Sequence, residues 1–462
     1  MPDPSQSSSA GVPSRTSLAR ERPPARTRLV RLPGCRLILA NPYQGQYGHL
    51  GSEILYALSY ARAVDAPVLF GRANTRIARA MFEIDTSEVH IVRNRALRLL
   101  GRLLWSAYAC RDRFRQWRTR SSAQFWRLVR TELSAYASRE TSASPAVKQS
   151  AKQLATTAKK GHSRRRAKRV NYNRRRLIFE PVSTTLTPSA MSLAMRLASQ
   201  AGIPDDARLI SLHVRERGYK LGREAQDKTV VGVDDSVRNA RIESHLSAVD
   251  FLVAQGYTVI RLGDQSMTPL NREGVVDIAT MPDRHPLLDI YCLLRSKFLL
   301  CGESGPYGIS FLTNTPLLCV NATEPVGAYP VRTNGIYLLK TVIDRTRGVP
   351  LTAHDFLTEE YLRNVRNTIR YEYIENTPAQ IVSAVKEMLA LLDEDTPEAP
   401  SQTWYREQAL ATGIEWQQLA YQRKWGVDRG FLGFGRLARV LADPWFEIDA
   451  EHSRVETSAH AS

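Results

Sequence analysis

The sequence predicts an α/β fold built on parallel sheets, in more than one unit. Three observations point there. Short, almost wholly apolar runs such as RLISLHV (208–214), KFLLCGES (297–304) and PLLCV (316–320) alternate with stretches of helical apolar spacing. Strands this apolar are expected where helices cover both faces of a parallel sheet. The chain has 462 residues, more than the roughly 100–200 of one ordinary domain, and its 43% apolar content suffices for globular folding.

Taken in order, residues 1–34 are rich in Ser, Pro and Arg and lack an apolar stretch, so a disordered tail is expected there and not a secretory signal. CRLILA (35–40) reads as a strand and NPYQGQYG (41–48) as a glycine-bearing loop. HLGSEILYALSYARAV (49–64) carries Leu50, Ile54, Leu58 and Ala61 at helical spacing. APVLF (66–70) and VHIV (89–92) read as further strands. The rhythm breaks at 93–176 and resumes near LIFEP (177–181), and TPSAMSLAMRLASQAG (187–202) is a helix ending at glycine.

The second half is cleaner. After RLISLHV come a helix at 241–256, with Ile242, Leu246, Val249 and Val253 on one face, and strands at YTVIRLGD (257–264) and VVDIAT (275–280). PLLDIYCLLRS (286–296) is a helix before the last two apolar strands, and 356–462 reads as mostly helical. The expected units are therefore 35–200 with its insert, 201–355, and a helical region 356–462 packing back on both.

Charge is concentrated in one place. Residues 93–176 hold 24 Lys and Arg against three acids, a surplus of +21 in a chain whose total is +18, so the remainder carries −3. A near-neutral body thus bears one strongly basic insert. The five cysteines are scattered without metal spacing, as in a reducing compartment. The longest uncharged apolar stretch of the insert, LLWSAYAC (103–110), is far short of the about 20 residues a spanning helix needs. A cytoplasmic protein, peripheral on the inner face of the membrane, is expected.

Candidate functional residues follow the carboxyl ends of strands, where open α/β sheets bind ligands. His213, Arg215 and Arg217 alternate out of the strand 208–214 and share one side. Guanidinium forks bind phosphate oxygens, and fixed positive charge stabilises a departing nucleoside diphosphate. The alternative is a surface strand end with salt bridges. At RLGD (261–264), Asp264 suits a ribose hydroxyl or base edge and Arg261 adds charge; the alternative is a Gly-Asp corner with Gly263 in the turn. In CGESGPYGISF (301–311), Glu303, Ser304 and Gly305 precede a helix start that favours phosphate. In the first half, His49 and Glu53 stand one helical turn apart, suited to deprotonating an acceptor hydroxyl. Their alternative is a satisfied histidine beside an exposed glutamate. No GxxxxGK[ST], GxSxG or HExxH pattern occurs, and no Asp-x-Asp lies in a strand-end loop. Arginines in place of a metal are therefore expected at the diphosphate, which requires Arg215 to face the gap between the halves, uncommitted to a carboxylate.

GHLGSE, HVRERGYK, RNARIESHLSAVDFLVAQGYTVIRLGD, DIYCLLRSKFLLCGESG and YEYIENTPAQIVSAVKEML together resemble a largely uncharacterised family of bacterial glycosyltransferases, over roughly 35–90 and 205–440. The resemblance implies a GT-B-like pair of Rossmann-like domains facing a cleft. Its His-x-Arg and Ser-Gly stations are similar to those of GDP-sugar fucosyltransferases. It implies that Arg215 contacts the diphosphate of a nucleotide sugar and that Arg238, Asn239, Asp264 and Glu303 to Gly305 line the donor pocket. Relatives carry small hydroxyl residues where this chain has Glu303.

The expected activity is metal-independent glycosyl transfer from a nucleotide-sugar donor, GDP-sugar favoured, to a glycan or lipid-linked acceptor of the envelope, with no cofactor. The rival is a non-catalytic nucleotide- or glycan-binding protein at a membrane. The insert interleaves Leu, Trp and Phe with Arg, the pattern of a helix lying on anionic lipid. Its run KKGHSRRRAKRVNYNRRR also suits nucleic-acid phosphates, but no nucleic-acid-binding motif accompanies it.

Overall fold

The computed structural model describes residues 27–32, 35–44, 47–94, most of 96–110, 181–216, 234–323, 325, 332–409 and 435–460. Most of the basic insert, the strand expected at 177–180 and Arg217 lie outside the described residues.

The first unit opens with β1 (Thr27–Leu32), antiparallel to β2 (Cys35–Ala40), with Leu32 opposite Cys35. The tail expected over 1–34 is thus corrected at its end: TRLVRL carries enough apolar residues to pair along an edge that β2 would otherwise leave open. Helix α1 (Tyr47–Ala63) connects β2 to its parallel neighbour β3 (Val68–Phe70). VHIV adds a single bridge, Val68 to Ile91, instead of a full strand. After α2 (Arg76–Met81), β4 (Ile84–Asp85) pairs antiparallel with β5 (Thr185–Leu186). Glu88 reinforces this join, accepting from the Ser183 N–H at 2.6 Å and pairing with Arg62 at 2.6 Å. The chain therefore leaves for the insert and returns at neighbouring points, which lets the unit close without it.

Helix α3 (Pro188–Gln200) leads to the large sheet. Its elements in chain order are β6 (Leu209–His213), α4 (Leu246–Ala254), β7 (Thr258–Arg261), β8 (Val275–Asp277), α5 (Pro286–Arg295), β9 (Ser296–Cys301), α6 (Tyr307–Thr313), β10 (Leu317–Ala322) and β11 (Ile336–Leu339). Then come β12 (Thr341–Asp344), β13 (Val349–Pro350), the short helices α7 (Ala353–Leu357) and α8 (Glu359–Arg363), β14 (Tyr371–Ile374), α9 (Pro378–Glu394), β15 (Arg436–Leu437) and α10 (Arg439–His460). The large sheet runs β15-β11-β10-β9-β6-β7-β8 and is parallel at every pairing.

Period-two alternation explains the apolar strands. Ile210, Leu212, Phe298 and Leu300 pack on one face with Val249 and Leu252 of α4 and Ile381, Val385 and Met388 of α9. Leu209, Leu299 and Cys301 pack on the other face with Ile290 and Leu293 of α5 and Ile309 of α6. This second layer is continuous with Ile38, Leu50, Ile54 and Val68 of the first unit, so the core runs through the boundary expected at 200. Cys292, Cys301 and Cys319 are buried free thiols within it.

The region 356–462 is not uniformly helical. YEYI forms β14, antiparallel to β12, and Arg436–Leu437 adds an edge strand to the large sheet beside β11. Alternation along Tyr371–Ile374, with Tyr371 buried and Glu372 exposed, suits a half-covered strand.

The two units meet closely. A Cβ on Gly48 of α1 would lie 2.3 Å from the Gly305 carbonyl oxygen, and one on Gly308 of α6 would lie 2.2 Å from that of Gly48. The Tyr47 hydroxyl crosses the same junction to donate to Asp289 of α5 at 2.7 Å. Helices α1 and α6 are therefore in backbone contact here, where the sequence led us to expect a cleft.

Candidate anion site at the carboxyl edge of the large sheet

Four cations converge just past the carboxyl ends of β6 and β11. Arg215 follows β6 by two residues and its side chain is 7% exposed. Its carbonyl accepts from the Ala240 N–H at 3.0 Å, which pins the 3₁₀ turn Asp235–Arg238 beside it. Asp234 caps that turn by accepting from the Ser236 N–H at 2.8 Å. Lys340 leaves the end of β11, buried, and donates to the Asn239 carbonyl at 2.9 Å. Arg366 arrives from beyond α8 with φ of 66°, the left-handed region that costs any non-glycine residue energy. The surroundings hold it there: the Asp234 N–H donates to its carbonyl at 2.9 Å, and its own N–H donates to the Tyr373 hydroxyl at 2.6 Å.

The guanidiniums share acidic partners. Arg215 Nη2 and Arg238 Nη2 both reach Asp235 Oδ2, at 3.1 and 2.6 Å, and Arg366 Nη1 lies 3.5 Å from Asp235 Oδ1. Arg366 Nη2 reaches the enclosed Glu303 carboxylate at 3.2 Å, which also accepts from the Thr323 hydroxyl at 2.7 Å. Arg238 Nη1 donates to the Glu303 carbonyl at 3.2 Å. Burial, and then the Arg238 charge, pull Arg215 below the ordinary arginine range; Asp235 opposes them. Burial likewise lowers Lys340 against the attraction of Glu375 and Glu303. Arg215 Nη1 and Arg238 Nε are buried without a hydrogen-bond partner. Such an array favours an oxyanion with several acceptor oxygens.

The expected residues divide. Arg215, Arg238 and Glu303 are brought together, and Asn239 joins through its carbonyl. Arg215 is paired with the Asp235 carboxylate, so the requirement of an uncommitted guanidinium is not met and Arg215 alone does not carry the expectation of arginines in place of a metal; the pairing is through one nitrogen and leaves the other unsatisfied. His213 accepts from Ser304: a carbonyl only accepts, so Nδ1, 3.0 Å from the Leu262 carbonyl, carries the proton, and Nε2 accepts a hydrogen bond from the Ser304 hydroxyl at 2.7 Å. Burial lowers the imidazole to about 4, so the ring is neutral at pH 7.

Other expectations are corrected. Arg261 is wholly enclosed, not a donor contact: it binds Asp277 at 2.9 Å, Glu216 at 2.5 Å and the Thr268 carbonyl at 2.5 Å. It neutralises two carboxylates at the edge of β7 and β8, a role whose loss costs about 3–5 kcal/mol. Asp264 closes a turn, accepting from the Ser266 N–H at 2.9 Å and its hydroxyl at 2.5 Å. Gly263 gives that turn room, since a Cβ there would meet Met267 Sδ at 2.1 Å. Glu53 is buried and accepts the Tyr43 N–H at 2.7 Å, whereas His49 is exposed, edge-on to the Tyr43 ring at 6.2 Å. The structure thus groups the His49 and Glu53 pair around Tyr43. Gly305 presents its carbonyl oxygen to Gly48, whose lack of a side chain permits the close approach.

Asp235, Lys340, Thr323 and Arg366 were not singled out from the sequence. Lys340 has the same signature as Arg215, a charge directly after an apolar strand. Arg366 has none, because its place depends on a left-handed loop residue between α8 and β14. Among the described residues no group of three or more His, Cys, Asp or Glu is placed to hold a metal, and no helix is long and apolar enough to cross a membrane.

No protein-family model and no curated protein matches the chain. Among solved structures it is similar to a glycosyl transferase family 9 protein from Veillonella parvula DSM 2008, at 12% identity and a TM-score of 0.28, over 45% of this chain and 54% of that one. The chain spans about half the length of that structure. The likeness to GDP-sugar fucosyltransferase stations has no counterpart in these comparisons.

Proposed function

We propose that the chain is a glycosyltransferase that takes a sugar from a nucleotide-sugar donor and uses cationic side chains at the diphosphate. The observation that carries this reading is the convergence of Arg215, Arg238, Lys340 and Arg366 at the carboxyl edge of a parallel sheet. An acceptor hydroxyl attacks the anomeric carbon, the bond from that carbon to the phosphate oxygen breaks, and its electron pair leaves with the nucleoside diphosphate. The guanidiniums stabilise that charge as it develops. The hydroxyl proton passes to a base, for which the exposed His49 is the candidate, Glu53 being engaged with the Tyr43 N–H. A GDP-sugar is the favoured donor by the resemblance of the motifs, and a glycan or lipid-linked acceptor completes the reading.

A thermal-shift screen against GDP-, UDP-, dTDP- and CMP-sugars tests it, followed by assay of released nucleoside diphosphate. One donor class is expected to stabilise the protein, by about 2.7 kcal/mol at a hundredfold excess over Kd, and to be turned over. Stabilisation without release would leave the non-catalytic binding protein as the reading; no response to any donor would end both.

A second feature favours an anionic membrane surface. In the described helical residues within 96–107, Leu104 and Trp105 pack on Leu39, Leu69 and Val92, while Leu97, Leu99 and Leu103 stand 46–62% exposed. These leucines belong to the segment whose charge surplus is +21. Liposome flotation is expected to recover the protein with vesicles containing anionic lipid and not with neutral ones. Equal recovery in the soluble fraction would remove this reading.

A further inference from the structure

We propose that the Asp235 carboxylate occupies the seat of a phosphate group, and that a diphosphate ligand binds by displacing it. This rests on the reading of the cluster as an anion site and adds the internal competitor that the ligand must overcome.

Three guanidiniums converge on this one carboxylate, two on the same oxygen. Asp235 is also the accessible acid of the cluster, with its side chain 36% exposed, whereas Glu303 is 1% exposed and fastened by Thr323 as well as Arg366. The carboxylate does not satisfy the site. Arg215 Nη1 and Arg238 Nε remain buried without an acceptor, a state that leaves the desolvation of each donor uncompensated. A carboxylate offers two oxygens and one charge; a diphosphate offers more of both, so the same cations bind it better. Exchange does not require the turn to unfold. Its backbone is tied at both ends, by the Asp234 N–H to the Arg366 carbonyl and the Ala240 N–H to the Arg215 carbonyl. The Asp235 side chain, 36% exposed, leaves the seat by rotating toward solvent in this proposal.

An internal competitor weakens apparent affinity by the fraction of molecules in which the seat is free. Asp235→Asn keeps the shape of the side chain and removes its charge. Calorimetric titration of the full chain with inorganic pyrophosphate is expected to show binding roughly tenfold tighter in Asp235→Asn than in the wild type. Circular dichroism reports folding, and Asp235→Ser makes the same measurement if the Asn variant does not fold. Equal or weaker binding in the variants, with wild-type binding that Arg215→Ala abolishes, overturns the displacement and leaves the anion site standing. Absence of pyrophosphate binding in wild type and variants alike overturns both.

Discussion

Arg215→Ala is expected to abolish glycosyl transfer while leaving the protein folded. The guanidinium sits nearest the end of β6, is 7% exposed, and holds one nitrogen without a partner. A hydrogen bond to a charged group is worth about 1.5–3 kcal/mol, so donor affinity is expected to fall by about ten- to a hundredfold. Loss of one preorganised donor to a developing oxyanion lowers turnover by a further 10²–10³-fold, to judge by the general magnitude of such effects. The fold is expected to survive because Asp235 keeps Arg238 and Arg366 as partners. Arg215→Lys is expected to rescue little, since a compact ammonium cannot engage two phosphate oxygens in the planar manner of a guanidinium. Nucleoside diphosphate release, donor titration and a thermal melt separate these effects. A melt showing collapse of Arg215→Ala would make the arginine structural; unchanged donor affinity would remove it from the site.

The parallel sheet was legible because burial on both faces leaves a simple mark: Phe298–Cys301 is apolar throughout, and Leu209–Leu212 is apolar but for Ser211, whose buried hydroxyl pairs with that of Ser296. Arg215 was legible for the related reason that a charge directly after such a run must find company at the sheet edge. The same rule misplaced Arg261. It also ends an apolar strand, but its company is Asp277 on the neighbouring strand and Glu216 just beyond β6, which satisfy it internally. Sequence spacing shows that a charge is at an edge and says nothing of which charges the adjacent strands bring. Asp235 was hidden by its setting, a paired acid in a polar loop that reads as solvated. Strand β14 was hidden inside a helical pattern because its partner β12 lies about thirty residues earlier, and pairing overrides local spacing.

Gly48→Ala is expected to destabilise the whole molecule, by about 1–3 kcal/mol for overpacking alone, and Gly48→Val by more. The added Cβ would lie 2.3 Å from the Gly305 carbonyl oxygen and 3.1 Å from its carbon and Cα. Those are backbone atoms, so no side chain can turn aside, and α1 must withdraw from α6. Withdrawal opens the core layer that joins the two units, where Leu50 and Ile54 are fully buried with Ile309. It also pulls on the loop 302–306, whose Ser304 donates to His213 and whose Glu303 holds Arg366. Donor binding is therefore expected to weaken together with stability, although Gly48 touches no cation of the site. Gly308→Ala should do the same, its Cβ lying 2.2 Å from the Gly48 carbonyl oxygen. The pair should cost less than the sum of the two, because either substitution alone opens the one gap both require. Gly305→Ala is the control in the same contact: its Cβ would meet nothing nearer than 3.6 Å, an ordinary distance, and little change is expected. Chemical denaturation of the three single variants and the double variant reads the order directly. A Gly48→Ala protein as stable as Gly305→Ala would mean that α1 and α6 do not approach this closely, and the coupling of the first unit to the anion site would fall with it.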